Sequence, residues 1–398
     1  MKTVDALKDK LARRNERRTS LDVEYVFADS INFVNAAHWR QVTQGASIFL
    51  QHHYLSAIEA HPPENIQLRY VIAYQVGTPV LALACQIAEV SGAQLVKADH
   101  KAKAFFEKSV NERLLVCGNL ISSGQHGVAY TTLINDELAW RITAEALYKI
   151  RRAEKLNGAI NFALIKDFKG EYKDRSSVLE RYSYRPIQTD PDMVLTLSSP
   201  CKGFEDYLAA LTSKYRSRVK KMIRTIDEAG FQLEDIQIDE QIDAELHELY
   251  LNVENRANIR LATISRGYFH LLAEALGENL VCKGLYLNEK LAGFITVIKD
   301  CDQAVAYYVG FDYALNADYP IYFRLLVSVI EAAIELNCTT ISFGRSALEP
   351  KASLGALPVE TYVWARHRIP AVNAIIRELF SSIPYEQAPE RNVMKGVK

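Results

Sequence analysis

Apolar residues along the chain fall into two textures, short β-like runs and longer stretches of helical periodicity, and these follow one another in an order that occurs twice. Over residues 68–90 the runs LRYVIAYQ and PVLALACQIAEV flank Val76-Gly77-Thr78, the pattern of a hairpin with a tight turn. A further apolar run, LLVCGN, starts at Leu114 and leads into a glycine-rich stretch. Residues 134–155 then place apolar side chains at helical spacing behind Asn135 or Asp136, either of which suits an N-cap. Residues 159–168 (AINFALIKDF) predict a buried strand. Hairpin, strand, loop, helix and strand in this order describe an α/β layer rather than a helical bundle.

In the second half helices are predicted over 204–230, 241–257 and 266–276, then strands over 280–287 and 291–299 joined through Asn288-Glu289-Lys290. A strand at 304–310, a helix at 319–336 and strands at 340–343 and 361–368 complete the set. A chain of 398 residues suits two cores of about 150 to 200 residues better than one. Residues 185–192 (RPIQTDPD) are polar, carry two prolines and predict a connector open to proteolysis. The expected division is a basic leader helix over 1–20, a first domain over 21–184, the connector 185–192, a second domain over 193–380 and a C-terminal tail over 381–398.

Composition narrows the classes. An apolar fraction of 49% with 24% charged residues argues against large-scale disorder, and a net charge of −1 supplies no global field for a polyanion, so no stable nucleic-acid binding is expected. The six cysteines are widely spaced, without a C-x-x-C pair or a Cys/His run, which predicts reduced and mostly buried thiols and no metal site. The N-terminus alternates charge through Arg18 without an apolar core, and no apolar run is long enough to cross a bilayer. The cytoplasm is the expected location. Val4, Leu7 and Leu11 share one face of the leader, which reads as a solvated helix against the first domain, with peripheral membrane contact as the alternative. G-x-S-x-G and P-loop motifs are absent, which argues against covalent serine and P-loop chemistry.

Five segments carry a family likeness. SKYRSRVKKMIRTIDEAGFQLE (213–234), YYVGFD (307–312) ahead of a helix, and ISFGRSALEPKASLGALP (341–358) resemble successive parts of the FemAB-like branch of the Gcn5-related N-acetyltransferase (GNAT) superfamily. FLQHHYLSAIE (49–59) and VCGNLISSGQHG (116–127) resemble segments of the same group. The resemblance implies an α/β fold (α+β layered) of two tandem GNAT-like domains, each a mixed, mostly antiparallel sheet flanked by helices. It implies transfer of an acyl or aminoacyl group to an amine by direct attack. The donor is acyl-CoA in some branches, the co-substrate expected here, and aminoacyl-tRNA in the peptidoglycan branch. The acceptor is then a small-molecule, lipid or peptidoglycan-precursor amine. A binding protein whose acetyltransferase folds have lost catalysis is the rival reading.

In the loop after 344, Arg345 suits bidentate contact with an acid group, Lys351 suits a developing oxyanion, and Glu349 suits an amine proton. Tyr307 and Tyr308 alternate along a strand, so one faces a cleft while the other packs; Tyr308 or Asp312 is the expected proton-transfer partner. Gly118, Asn119, Ser122, Ser123, Gly124 and His126 form the most phosphate-like loop, against the alternative of a turn that needs glycine only for positive φ. Arg216 and Arg218 are the cations of the basic helix expected to reach a ligand. Family members cradle pyrophosphate in a glycine-containing loop, whereas the matching segment 312–324 has no glycine, so the donor phosphates are expected on the first-domain loop.

Overall fold

The computed structural model describes residues 20–91, 111–197, 201–257, 261–381, 388–389 and 391–395. Nearly all of the leader, and most of the tail, lie outside the described residues.

Strands are numbered in chain order, as are helices of two turns or more. The first half runs β1 (Glu24–Ala28), α1 (Ala36–Thr43), α2 (His52–Ala60), β2 (Ile66–Gln75), β3 (Thr78–Ser91), β4 (Asn111–Cys117), β5 (Val128–Tyr130), α3 (Asp136–Ala153), β6 (Phe162–Lys169) and β7 (Arg185–Thr196). The second runs α4 (Ser213–Glu228), β8 (Phe231–Asp235), α5 (Glu240–Glu254), α6 (Tyr268–Leu276), β9 (Leu280–Leu287), β10 (Lys290–Asp300), β11 (Gln303–Phe311), α7 (Ile321–Glu335), β12 (Thr340–Ser342) and β13 (Leu357–His367). The predicted hairpins are present: β2 and β3 turn through Val76 and Gly77, and β9 and β10 turn through Asn288 and Glu289, all with positive φ, as tight turns of this hand require.

All described strands join one sheet in the order β1-β2-β3-β4-β6-β13-β7-β12-β11-β10-β9-β8, with β5 paired to β3. Most neighbours are antiparallel, and each half contains one parallel pair, β4 with β6 and β11 with β12. The sequence order recurs in mirror fashion about the centre. There the halves exchange their last strands: β7, ending the first half, pairs with β12, and β13, ending the second, pairs with β6. The two exchanged strands pair with each other.

Residues 185–192 are therefore not a connector. They open β7 and have β13 beside them. Pro191 misled the reading because it occupies a bulge, where Thr189 opposes Thr361 and Asp192 opposes Val359, and a proline is tolerated in a sheet interior at such a point.

Alternation along the strands divides the core. Even-numbered residues such as Tyr70, Ile72, Ala82, Leu114 and Val116 join Trp39, Tyr54, Leu246, Tyr250, Tyr268 and Phe269 in one cluster that spans both halves beneath α1, α2, α5 and α6. Odd-numbered first-half residues pack under α3, and the matching face of the second half packs under α4 and α7. All six cysteines are free thiols, and Cys85, Cys117, Cys282 and Cys338 are buried.

Candidate functional site

On the face shared by α1, α2, α5 and α6, the central strands are left partly uncovered, and a cavity of about 590 Å³ opens over them. Leu114, Phe162, Leu164, Val363 and Ala365 form one apolar part with Phe380 from the short helix Ile376–Ser381. Lys166, Asp167, Ser122, Ser123 and Arg345 form a polar part, and Tyr250, Glu254, Tyr307 and Tyr308 line the second-half side.

Bulges aim several of these side chains. In β6, Phe168 opposes Tyr362 while Ile165 opposes Trp364, so one extra residue is accommodated at Lys166 and Asp167, and consecutive residues reach the same space. Asp167 takes φ 61, a left-handed conformation that aspartate adopts more readily than most residues. β11 carries a matching irregularity: Val309 opposes Ile295 and Ala306 opposes Val297. Thr296 Oγ1 fills the gap, accepting from Tyr308 N (3.0 Å) and donating to Tyr308 O (3.2 Å). Strict alternation of Tyr307 and Tyr308 thus fails, and both line the cavity.

The polar part centres on Asp167. Its carboxylate pairs with Arg345 and accepts the Gly124 amide (3.0 Å), with Lys166 Nζ 3.3 Å away. Burial raises this carboxyl, but Lys166, Arg345 and the Gly124 amide outweigh it and hold Asp167 below the ordinary carboxylate range. Burial also pushes the Lys166 amine down; its Nζ donates to the carbonyls of Asn119 (2.6 Å) and Ser122 (2.9 Å). Among the described residues, two buried polar atoms in this region lack hydrogen-bond partners, Ser122 Oγ and Arg345 Nε.

Glu254 ends α5 with one carboxylate oxygen accepting from Thr263 Oγ1 (3.2 Å). Tyr308 OH donates to Ile121 O (3.2 Å), and Tyr307 OH lies 2.6 Å from Tyr268 OH and 3.0 Å from Tyr54 OH. Burial raises both tyrosines well above the usual phenol range, so they stay protonated and serve as donors.

Of the sequence-predicted residues, Arg345, Tyr308, Ser122 and Ser123 meet in the cavity. The others are placed elsewhere. Lys351 is buried and donates to the carbonyls of Gly344 (3.2 Å) and Arg345 (2.9 Å), so it braces the loop that carries Arg345. Glu349 is half-exposed and paired with Arg391. Asp312 caps the short helix Tyr313–Asp318 through the amides of Ala314 and Leu315. Arg216 and Arg218 belong to α4 on the opposite face of the sheet, where the Arg218 guanidinium lies 5.9 Å from the Phe323 ring centre.

The glycine-rich loop also differs from its reading. β5 separates it from α3, so it does not lead into that helix. A Cβ on Gly127 would stand 2.4 Å from Gly118 N, which makes these glycines a close backbone contact. Asn119 is buried, accepts from Gln86 and donates to Tyr54 OH (2.7 Å). His126 is buried with Nε2 2.8 Å from Ser123 O and Nδ1 2.9 Å from Ser47 Oγ, which lies 2.8 Å from Asp300 Oδ2. Asp167 occupies the anion position facing the Gly124 amide.

Helix N-termini offer little to a donor phosphate. The first turn of α3 carries Asp136 and Glu137. Near the start of α7 the Tyr322 amide donates to Asn316 Oδ1 (2.8 Å). Among the described residues no group of three His, Cys, Asp or Glu side chains is arranged to hold a metal ion, and no helix is long and apolar enough to cross a membrane.

Lys166, Asp167 and Glu254 were missed by sequence reasoning. Two adjacent ionisable residues closing an apolar run, at AINFALIKD, were the only signal for the first pair.

No curated protein matches the sequence. Residues 213–352 match the model of the acetyltransferase (GNAT) domain family. FemX matches in structure with a TM-score of 0.56 at 11% identity, over 88% of this chain and 99% of that one. A tandem GNAT protein from the clavulanic acid biosynthesis pathway matches with a TM-score of 0.52 at 12% identity, over 87% of this chain and 99% of its own. The chain has the tandem GNAT fold that the FemAB-like resemblance implied, and its segment 213–352 matches the acetyltransferase (GNAT) domain model.

Proposed function

We propose that the protein is an acyltransferase that joins an acyl group from an activated donor to an amine held in the central cavity. The carrying observation is the cavity itself, in which carboxylates, phenols and a paired guanidinium from different elements line one partly apolar space. The GNAT match and the tandem fold support the reaction class.

In this reading the amine nitrogen attacks the acyl carbonyl carbon. A C–N bond forms, the bond to the leaving group breaks, and Glu254 takes the amine proton and gives it up to the leaving group, toward which the Tyr308 hydroxyl donates a hydrogen bond. Arg345 and Lys166 supply positive potential for the charge that develops on the carbonyl oxygen. Acyl-CoA is the first donor to offer and aminoacyl-tRNA the second.

The test is mass-spectrometric detection of an amide after the purified protein is incubated with each donor and a panel of amines. Glu254→Gln should lower turnover by about a hundredfold or more with little change in acceptor affinity. Amide formation that survives this substitution removes Glu254 from its role. A non-catalytic binding protein is the second reading, favoured by the acidic first turn of α3 and the side-chain-bonded Tyr322 amide at α7. It predicts ligand binding with no amide from any donor.

A further inference from the structure

Chemistry is distributed unevenly around the cavity. Along β6, Phe162 and Leu164 precede Lys166, so the floor changes from apolar to charged over four residues, about 13 Å of strand. The apolar part is closed by Val363, Ala365 and Phe380 and offers no charge to a ligand. The charged part is divided in turn. Lys166 and Arg345 both pair with the carboxylate of Asp167, and beside them Ser122 Oγ and Arg345 Nε are buried without hydrogen-bond partners among the described residues. Carboxylates lie on other walls, Glu254 at the end of α5 and Asp190 on the β7 bulge. A ligand matching all three regions carries an amine, an acid group beside it and a long apolar chain.

We infer that the cavity takes an amino acid as acceptor and a long unbranched acyl chain as the group transferred, so that the product is a long-chain N-acyl amino acid. This rests on the transfer reading above and names its substrates. The acceptor's acid group lies against Arg345 and Ser122, its amine faces Glu254, and the acyl chain runs over Leu164 and Phe162 toward Phe380. The reaction balances as before: the acyl carbon exchanges its bond to the leaving group for one to nitrogen, and the amine loses a proton to Glu254. An unpaired buried donor gains most from an ionised acceptor, and the apolar part gains with each methylene buried.

Calorimetric binding of the product class to the intact protein tests this without turnover. N-dodecanoylglycine should bind, and N-octanoylglycine and N-hexanoylglycine should bind progressively more weakly, by up to roughly fourfold per methylene removed. N-dodecanoylethanolamine, which keeps the chain and lacks the acid, should bind at least about tenfold more weakly. Ser122→Ala should weaken the glycine conjugates several-fold and leave the ethanolamide unchanged. Val363→Phe should narrow the apolar part and shift the preferred chain to a shorter one. Equal affinity for acidic and neutral heads, or affinity independent of chain length, overturns the inference.

The two readings fail separately. If the conjugates bind with this profile and no donor ever yields an amide, the transfer reading falls and the ligand class stands. If amides form only from short, polar substrates and the conjugates do not bind, the ligand class falls and transfer stands.

Discussion

Lys351 lies beneath the loop that carries Arg345 and holds it from within. The ammonium is buried and donates to two consecutive carbonyls, those of Gly344 and Arg345, in a loop where Gly344, Ser346 and Ala347 all take positive φ. An alanine in the left-handed region costs about 1 to 2 kcal/mol, so the loop needs such a brace to present Arg345 to Asp167. Lys351→Met should lower unfolding stability by about 2 to 4 kcal/mol in urea titration, because buried carbonyls lose their donor. Glu349→Gln, on an exposed pair, should change neither stability nor transfer measurably. Unchanged stability in Lys351→Met would return that side chain to the reaction. The lysine was legible as special from its place in GRSALEPK; its direction was not, since one turn of the short helix Leu348–Ser353 decides whether it faces loop or cavity.

His126 is a buried imidazole whose titration the fold alters. Burial lowers its pKa, opposed by Asp300 and the Ser123 carbonyl. With the folded value below the ordinary value of about 6.5, the unfolded chain binds more protons in the interval between them. Stability is then fully present above about pH 6.5 and is lost as pH falls through that interval. The difference in unfolding free energy between wild type and His126→Gln, followed over this range, should shrink toward acid; His53 and His367, lowered by burial as well, contribute to both proteins and cancel. A difference independent of pH would mean that His126 titrates alike in both states.

At the scale of elements, periodicity was a sound guide to which segments are strands and helices, and bulges defeated the finer reading. Tyr307 and Tyr308, Lys166 and Asp167, and Asp190 with Pro191 all sit where one strand carries an extra residue, and all of these except Pro191 line the cavity. Alternation holds only while register does, so it fails at the positions that aim side chains into a site. Helix α5 gives a test of how its wall of the cavity is held. A Cβ on Gly310 would lie 2.5 Å from Leu249 C and 2.6 Å from Tyr250 N, so β11 and α5 approach through a glycine. Gly310→Ala should push α5 outward, cost about 1 to 3 kcal/mol or more of stability, and displace Tyr250 and Glu254. Loss of turnover larger than the loss of folded protein is the expected reading in an activity assay normalised by circular dichroism. Equal losses would mean that α5 positions nothing in the site.

For the whole molecule, the recurring element order foretold two similar halves, while their exchange of strands left no local trace. RPIQTDPD is polar and proline-bearing, as connectors are, because a strand whose bulge tolerates proline and whose cavity face is polar looks like one in sequence. The consequence is thermodynamic. Removing β13 would expose an edge of β6 in the first half, and removing β7 would expose β12 in the second, while Trp39, Tyr54, Tyr268 and Phe269 share one core across the halves. Neither half completes its sheet alone, so opening one leaves unpaired backbone groups and apolar surface on the other. Calorimetric unfolding should therefore show a single transition whose van't Hoff and calorimetric enthalpies agree, and limited proteolysis should spare residues 185–192. Coexpressed fragments covering 1–197 and 201–398 should copurify as a complex, each supplying the strand that the other lacks, and each expressed alone should aggregate. Two separated transitions, or a first-half fragment that folds by itself with β6 unpaired, would show that the exchanged strands decorate two independent domains rather than bind them into one.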